Sequence, residues 1–371
     1  MALTNKLSAI GDAIREKTNT NALLTLDAMP AMIRGIETGS GGIELPAEAF
    51  NITGYCDYYF VNGNWDWFIN TFGKRVTTND IASACSMFSG CQDVTSIPFE
   101  INFKGDQECD VQNMFSYCNN LTSLPKINNL NMPWHTGYML AFCYRLREIP
   151  EHFVNSINWN YTIGVNDLFN QCYSLRSIPK GILTNVRRDL DCWYSFYSGA
   201  FYNCRCLDEL KDLPVFNECD WYDNIFNDSF YGCQRLKEIV FEMNEDGTPK
   251  TANWTNQNIN LTENLGYCYN EYEIIQWNSG ITADKEVKDD TTYQALKNDP
   301  DWFTKNIEYS RYNKESAVNT INSLPDTSAF GSNMISFMGN MGSLTDGGAI
   351  NTLTEEEIAV AAARGWTVSF V

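Results

Sequence analysis

The sequence is poor in the residues on which catalysis and metal binding most often depend. His135 and His152 are the only histidines in 371 residues, whereas a Ser-His-Asp or Cys-His arrangement needs a base within hydrogen-bond reach of its nucleophile. Cys204 and Cys206 are separated by one residue instead of the two of the usual metal or redox motif. No glycine-rich stretch matches a phosphate-binding loop. These shortages predict a protein that is not an enzyme and has no metal site of its own.

Long apolar runs and positive charge are also scarce. No stretch supplies the roughly 18 to 20 consecutive apolar residues that cross a bilayer, and the residues from Met1 to Lys6 do not resemble a secretory signal. The 26 basic and 46 acidic residues give a formal charge of −20, which repels nucleic-acid phosphates and anionic lipid head groups. We therefore expect a protein made in a cytoplasm, with no nucleic-acid partner and no insertion into a membrane. Its 13 cysteines are expected to be free thiols, because the number is odd and nothing directs the chain to an oxidising compartment.

What the sequence does have is an internal repeat. A large apolar residue is followed three positions later by a cysteine and after three more by another apolar residue, as in Phe115, Cys118 and Leu121, and this phrase occurs seven times. In the last copy Glu271 replaces the second apolar residue. Successive cysteines are 27, 25, 29, 32, 29 and 35 residues apart, which is typical of a solenoid with loops of variable length. The cysteines of the seven copies are Cys91, Cys118, Cys143, Cys172, Cys204, Cys233 and Cys268.

Units of this length cannot bury their apolar residues alone, so the pattern predicts that they stack and that the phenylalanine, cysteine and leucine positions form rows through one shared core. A further apolar residue, followed by proline in the first four copies, ends segments such as Leu121-Thr-Ser-Leu-Pro125 and Leu175-Arg-Ser-Ile-Pro179. Their loose alternation predicts short strands that the proline ends. The part from phenylalanine to cysteine is then the tight turn before the strand.

The phrase Met114-Phe-Ser-Tyr-Cys118-Asn-Asn-Leu-Thr-Ser-Leu-Pro125 resembles the BspA-like leucine-rich repeats. The likeness covers roughly half of the chain and implies a β-rich leucine-rich-repeat solenoid with short turns and helices. It says little about function, because solenoids of this kind serve many recognition roles. The chain differs from the family pattern in its longer, more aromatic connections and in its degraded last copy.

Apolar residues at helical spacing predict two short helices near the N-terminus, the first with Leu7, Ile10 and Ile14 on one face and the second with Met29, Met32, Ile33 and Ile36. The stretch from Asn5 to Thr18, followed by Leu26 to Pro30, resembles the N-terminal segment of tail and baseplate-associated proteins of tailed bacteriophages. The resemblance implies attachment to a virion through these helices in a symmetric bundle, with a homotrimer favoured. The alternative is a plain helical hairpin that packs on its own domain.

Five segments follow from these patterns. We expect a helical attachment segment at 1–38, a Gly/Ser linker at 39–42, an N-terminal cap of the solenoid at 43–80, the solenoid at 81–280, and a small α/β C-terminal cap at 281–371. Within the last segment, a helix is expected from Ser316 to Leu324, and a capping box at Thr354 predicts a second helix through Ala363. Gly365 is placed as a C-cap, and the residues from Trp366 to Phe370 alternate as a strand. This ending resembles that of repeat proteins in phage genomes.

Tryptophan recurs in the connections from the third repeat onward, often with tyrosine beside it. Aromatic faces next to amide and carboxylate groups suit the binding of a sugar or a protein loop. The alternation around Trp159 also fits a strand that faces inward, so an exposed binding face and a buried row both stay open. The candidate ligand-binding residues are Trp134, Trp159, Tyr161, Trp193, Tyr194, Trp221, Tyr222 and Trp254.

Acidic residues cluster in two connections. A pair of carboxylates at a suitable separation would serve a polysaccharide-cleaving enzyme, and an acidic loop can bind calcium. Neither connection has the ligand spacing of a calcium loop, and charged residues between repeats are usually solvated. No cofactor is therefore expected, and calcium is the one candidate. The two clusters are Asp106, Glu108 and Asp110, and Glu218, Asp220, Asp223 and Asp228.

The sequence thus predicts a non-enzymatic receptor-binding protein or tail fibre of a bacteriophage, made in the cytoplasm of the host bacterium and carried on the virion tail. The solenoid would recognise a host-cell surface glycan or protein, and the N-terminal segment would bind tail or baseplate proteins. A bacterial surface adhesin of the BspA-like type is the second interpretation. A polysaccharide-cleaving enzyme is the third.

Overall fold

The computed structural model describes residues 50–61, 66–162, 165–183, 197–215, 225–233, 236, 238–261, 314–337 and 353–370. Several predicted features lie outside these residues. They are the Gly/Ser linker, Cys268, and the two N-terminal helices with Leu7, Ile10, Ile14, Met29, Met32, Ile33 and Ile36.

The described regular elements are short. The helices are α1 (Asp66–Phe72), α2 (Glu151–Asn155), α3 (Lys314–Ser323) and α4 (Glu355–Ala363), with 3₁₀ turns at Gly73–Arg75 and Trp159–Tyr161. The strands are β1 (Phe50–Tyr55), β2 (Val76–Ser83), β3 (Ile101–Asn102), β4 (Cys109–Asp110), β5 (Ile127–Asn128), β6 (Pro133–His135), β7 (Glu209–Leu213), β8 (Glu238–Phe241), β9 (Asn258–Asn260), β10 (Asn333–Phe337) and β11 (Trp366–Phe370).

The strand pairs of the described residues are parallel. Strand β1 pairs with β2, β3 with β5, β4 with β6, β7 with β8, and β10 with both β9 and β11. A parallel pair needs a crossover connection. In each of the four pairs formed among β1 to β8, the crossover has about the length of one repeat. Each copy therefore returns the chain to lie beside the copy before it.

The segment before each cysteine is joined to the next copy by a regular set of backbone hydrogen bonds. The N–H groups five, three and one residues before the cysteine donate to carbonyls six, four and two residues before the next cysteine. Phe88 N donates to Met114 O at 2.9 Å, and Phe115 N donates to Met139 O at 2.9 Å. Because these bonds recur at fixed offsets from the cysteine, they hold successive copies in one register although the copies differ in length.

Two residues in each of these segments have a left-handed backbone, at the positions five and one before the cysteine. Such a conformation favours glycine, asparagine and aspartate, and seven of the twelve positions hold one of these residues. At the other positions, the surrounding ladder of hydrogen bonds offsets the strain. The twelve residues are Ser86, Gly90, Asn113, Tyr117, Tyr138, Phe142, Asp167, Gln171, Gly199, Asn203, Asp228 and Gly232.

Each described cysteine thiol of the repeats lies against the copy before it. Cys118 Sγ donates to the Phe88 carbonyl at 3.2 Å, and Cys143 Sγ donates to the Phe115 carbonyl at 3.3 Å. The same bond recurs from Cys172 to Leu140, from Cys204 to Phe169 and from Cys233 to Phe201, at 3.0 to 3.1 Å. Burial raises the pKa of Cys172 and Cys233 to about 12, so these thiols keep the proton that they donate. The ten cysteines that the structure describes are free thiols.

Contacts of the same kind begin one step earlier than the repeat phrase predicts. Phe60 stacks on Phe88 with ring centroids 5.2 Å apart, and Phe60 N donates to Met87 O at 2.7 Å. Cys91 Sγ donates to the Phe60 carbonyl at 3.1 Å. The segment expected only as a cap, residues 43–80, therefore contributes backbone that continues the pattern of the copies.

The strand predictions after the cysteines were only partly correct. Leu121 to Pro125 contains a single parallel bridge, from Ser123 to Ser96, and Leu175 to Pro179 holds no strand. Neighbouring copies are joined here by single backbone bonds, such as Thr122 N to Thr95 O at 2.9 Å. In the fifth and sixth copies the segment continues into β7 and β8, where Leu210 and Ile239 are paired and buried.

The predictions for the C-terminal elements are confirmed. Helix α4 begins after Thr354, whose side chain accepts from Glu357 N while Glu357 accepts from Thr354 N, and this is the predicted capping box. Gly365 has a φ of 82°, and β11 follows it directly. The three-stranded sheet of β9, β10 and β11 lies at the end of the described repeats, and α3 packs on β8 and α4.

Candidate ligand-binding surface

Two of the predicted binding residues are in the core. Trp159 is 2% exposed and its indole Nε1 donates to Val154 O at 3.1 Å, while Trp254 is fully buried. Trp254 lies among the rings of Phe226, Phe241 and Trp366, with centroids 5.6 to 6.3 Å from its own. The buried alternative therefore applies to these two tryptophans, because a ligand has no access to their faces. Their assignment as binding residues was wrong.

Trp134 and Tyr161 are on the surface and share one patch. Trp134 is 41% exposed and stacks on His135, with centroids 4.7 Å apart. The Tyr161 hydroxyl donates to Glu108 Oε1 at 3.0 Å. Since Glu108, Trp134 and Tyr161 belong to three consecutive connections, the tyrosine reaches across the tryptophan's copy to the carboxylate. The Trp134 indole is therefore exposed, with the His135 ring against one of its faces.

The other four predicted residues, Trp193, Tyr194, Trp221 and Tyr222, lie outside the described part of the chain.

A larger aromatic surface lies beside the cysteines, outside the set of residues predicted to bind a ligand. Tyr117 stacks on Phe142 with centroids 4.1 Å apart and an interplanar angle of 8°. Phe142 meets Tyr144 edge to face at 6.4 Å, and Tyr144 stacks on Tyr173 at 4.7 Å and 4°. Tyr202 and Tyr231 form a further stack at 4.8 Å and 7°. We call these six residues the aromatic row: Tyr117, Phe142, Tyr144, Tyr173, Tyr202 and Tyr231.

The aromatic row follows from the geometry of the turn that contains each cysteine. The cysteine points into the core, so its two neighbours in sequence point away from it, as Phe142 and Tyr144 do on either side of Cys143. The fixed register then places equivalent side chains of consecutive copies against each other. In the sequence, Cys118, Cys143 and Cys172 have an aromatic residue on one or both sides, whereas Tyr202 and Tyr231 are two residues before their cysteines.

The phenols of Tyr144 and Tyr173 are neutral at physiological pH. Partial burial raises the pKa of Tyr144 to about 12, and the nearby phenol of Tyr173 adds to that rise. Burial also raises the pKa of Tyr173, against the opposing effect of the Arg205 guanidinium, whose carbon lies 4.9 Å from the ring centroid. A neutral phenol both donates and accepts hydrogen bonds. The row therefore combines apolar ring edges with phenol hydroxyl groups and one stacked cation.

Two carboxylates of the first acidic cluster have a cation or a phenol as partner. Asp106 pairs with Lys104 at 3.4 Å, and Glu108 accepts from Tyr161. Within the described ranges, no three His, Cys, Asp or Glu side chains gather in a group that could hold a metal. Calcium binding stays a prediction for both clusters, and Glu218, Asp220 and Asp223 of the second cluster lie outside the described residues.

None of the helices that the structure describes has the length and apolar character needed to cross a membrane. No protein-family model matches the chain, and the searches of curated proteins and of solved structures likewise returned no match.

Proposed function

We propose that the chain is a non-enzymatic recognition protein, a leucine-rich-repeat solenoid of the BspA-like type that a bacteriophage tail carries to the host surface. The observation that supports recognition is the aromatic row, whose stacked rings run along consecutive copies on the outside of the molecule. The backbone ladder and the buried thiols support the solenoid. The resemblance of the N-terminal stretch to phage tail proteins supports the virion role.

A row of this kind suits an extended ligand. Tyr117 is 45% and Tyr231 is 39% exposed at the two ends of the row, and the rings between them are partly exposed. Within each stack the facing sides of the rings cover one another, so a sugar or a protein loop would pack on the outer ring edges, where the phenols supply hydrogen bonds. Such contacts are individually weak. Several copies on one symmetric tail would bind through avidity without a deep pocket.

Binding of the purified protein to bacterial cells tests the proposal. A panel of strains first identifies a host, and the dissociation constant is then measured for Tyr117→Asn with Tyr173→Gln. Both substitutions are native to these positions, because Asn203 and Gln92 occupy them in other copies. We expect about tenfold weaker binding from the loss of two aromatic contacts.

Phe330→Asn is the matched control, because Phe330 is 49% exposed but lies outside the row. Unchanged binding in this variant, with loss in the double variant, supports the row as the binding surface. Equal affinities for the double variant and the unmodified protein would refute that assignment. Antibody labelling of purified virions tests the tail location, and labelling of a bacterial cell wall instead would favour the adhesin.

A further inference from the structure

One ring face at the start of the aromatic row is not covered by a neighbouring ring. Tyr117 stacks on Phe142 through one face, and this is its one ring contact among the residues that the structure describes. Phe142 belongs to the third copy, so the other face of Tyr117 is turned toward the first copy. Tyr117 is also 45% exposed, more than any other member of the row. Its outer face is therefore accessible to a ligand.

The residue of the first copy that would cover this face is a glycine. Tyr117 and Phe142 each stand directly before a repeat cysteine, and Gly90 holds that position in the first copy. Gly90 N donates to Ser116 O at 2.8 Å, so the first copy lies beside the Tyr117 segment in the common register. Because glycine has no side chain, the space next to the Tyr117 ring is bounded by backbone.

The side chains beside Gly90 are polar and uncharged. Gln92 is exposed and Ser89 is half-buried, and neither side chain forms a hydrogen bond within the described residues. Gln92 N donates to Gly90 O at 2.9 Å, which holds the two residues in one turn. The next residue is the acidic Asp93, and the whole chain has a formal charge of −20, so an anionic ligand would be repelled. We call this place the Tyr117 site: Ser89, Gly90, Gln92 and Tyr117.

We propose that the Tyr117 site binds one unit of a neutral polysaccharide, a polymer of hexopyranose rings such as a β-linked glucan. The C–H groups on the flat face of the sugar would pack on the open face of Tyr117, above Gly90. The Gln92 amide and the Ser89 hydroxyl both donate and accept hydrogen bonds, as the hydroxyl groups of a sugar do. This inference rests on the proposed recognition function and names its ligand class.

Isothermal titration with cellohexaose, a neutral oligomer of β-linked glucose, tests the inference without a known host. We expect a Kd of about 1 mM, because one stacked ring and a few hydrogen bonds make a weak site. The affinity should change little with salt, since the site has no charge of its own. A hexamer of galacturonic acid should bind at least about tenfold more weakly. Absence of cellohexaose binding, or tighter binding of the acidic hexamer, would overturn the ligand class.

Gly90→Asn closes the site and leaves the aromatic row intact. Asparagine tolerates a positive φ and is native to this position as Asn203, so the variant should fold. Its side chain would occupy the space next to Tyr117, and the affinity for cellohexaose should fall about tenfold or more. Gly247→Asn is the matched control, because Gly247 has the same φ of 78° and an added Cβ there meets nothing within 4 Å. Equal affinities in the two variants contradict the site.

Tyr117→Leu is a second test that adds no side chain at Gly90. It keeps an apolar group against Phe142 but removes the ring face, so the same loss of affinity is expected, and an unchanged affinity contradicts the site. Binding to bacterial cells separates the two proposals. Cell binding that persists in Gly90→Asn but is lost in Tyr117→Asn with Tyr173→Gln defeats the Tyr117 site alone. Binding of cellohexaose in solution without binding to any cell defeats the recognition of a host surface alone.

Discussion

Stacking between neighbouring copies should be measurable as a coupling free energy between Phe88 and Phe115. Their rings are parallel within 4° with centroids 5.4 Å apart, and both are fully buried. Phe88→Leu and Phe115→Leu remove the rings but keep apolar volume, and leucine is native to this position as Leu140. Each change should destabilise the protein by about 1 to 2 kcal/mol.

The double variant should lose less than the sum of the single changes. A stacked aromatic pair contributes about 0.5 to 1.5 kcal/mol beyond its buried area, and that contribution is lost in full with the first ring. The free energies of unfolding are measured by urea denaturation followed by circular dichroism. The expected coupling energy is therefore about 0.5 to 1.5 kcal/mol, above the roughly 0.3 to 0.5 kcal/mol within which independent sites are additive.

The control pair is Phe88 and Phe169, which belong to copies that are not neighbours. The Phe169 ring stacks on Phe201, whereas the Phe88 ring stacks on Phe115. Phe88→Leu with Phe169→Leu should be additive. A coupling of similar size in this pair would show that the effect is not carried by contact between neighbouring copies. Additivity in the Phe88 and Phe115 pair would refute the stacking argument itself.

Three further changes test local features by the same denaturation measurement. Gly199→Ala should lower the free energy of unfolding by at least about 1 kcal/mol more than Gly247→Ala does. Both glycines have a positive φ, but only at Gly199 would the new Cβ meet a neighbour, the Asp167 carboxylate. Equal losses of stability in the two variants would contradict this. Burial raises the pKa of Asp66 to about 6 from 3.8, so stability should fall by up to about 3 kcal/mol as pH rises from 4 to above 6. In Asp66→Asn that fall should disappear, and a persistent fall would assign it to another group. Thr354→Ala should cost about 1 kcal/mol through loss of the helix cap, whereas Thr354→Asn should cost little.

Local patterns predicted the C-terminal elements because each depends on neighbours in sequence. The capping box at Thr354 needs only a side chain three residues away, and a glycine with positive φ at Gly365 ends the turn that follows. The helix predicted from Ser316 matches α3 within two residues for the same reason. These contacts are completed within one or two turns of chain, so no knowledge of the tertiary structure was required.

Local sequence patterns did not predict that the contacts between copies begin at Phe60, before the first cysteine of the repeat. The phrase was recognised by its cysteine, whereas the position three residues after Phe60 holds Gly63. Phe60 nevertheless stacks on Phe88 and accepts the Cys91 thiol at its carbonyl, as the phenylalanines of later copies do. The cysteine thiol of each copy donates to a backbone carbonyl of the copy before it. The first copy therefore needs only that carbonyl and not a cysteine of its own.

The burial of the tryptophans was unpredictable for a reason that also explains where the aromatic row lies. Trp134 is nine residues before the next repeat cysteine and Trp159 is thirteen before its own, and the first is exposed while the second is buried. Backbone bonds at fixed offsets from the cysteine recur from about six residues before it to about six after it, and the variable length of the copies is absorbed in the connections between these segments. A side chain has a predictable direction only where its offset from the cysteine is constant. Tyr117 and Phe142 meet that condition, each directly before a buried cysteine, and their rings stack across two copies. Residues that flank the cysteines are therefore the ones from which a recognition surface can be inferred by sequence.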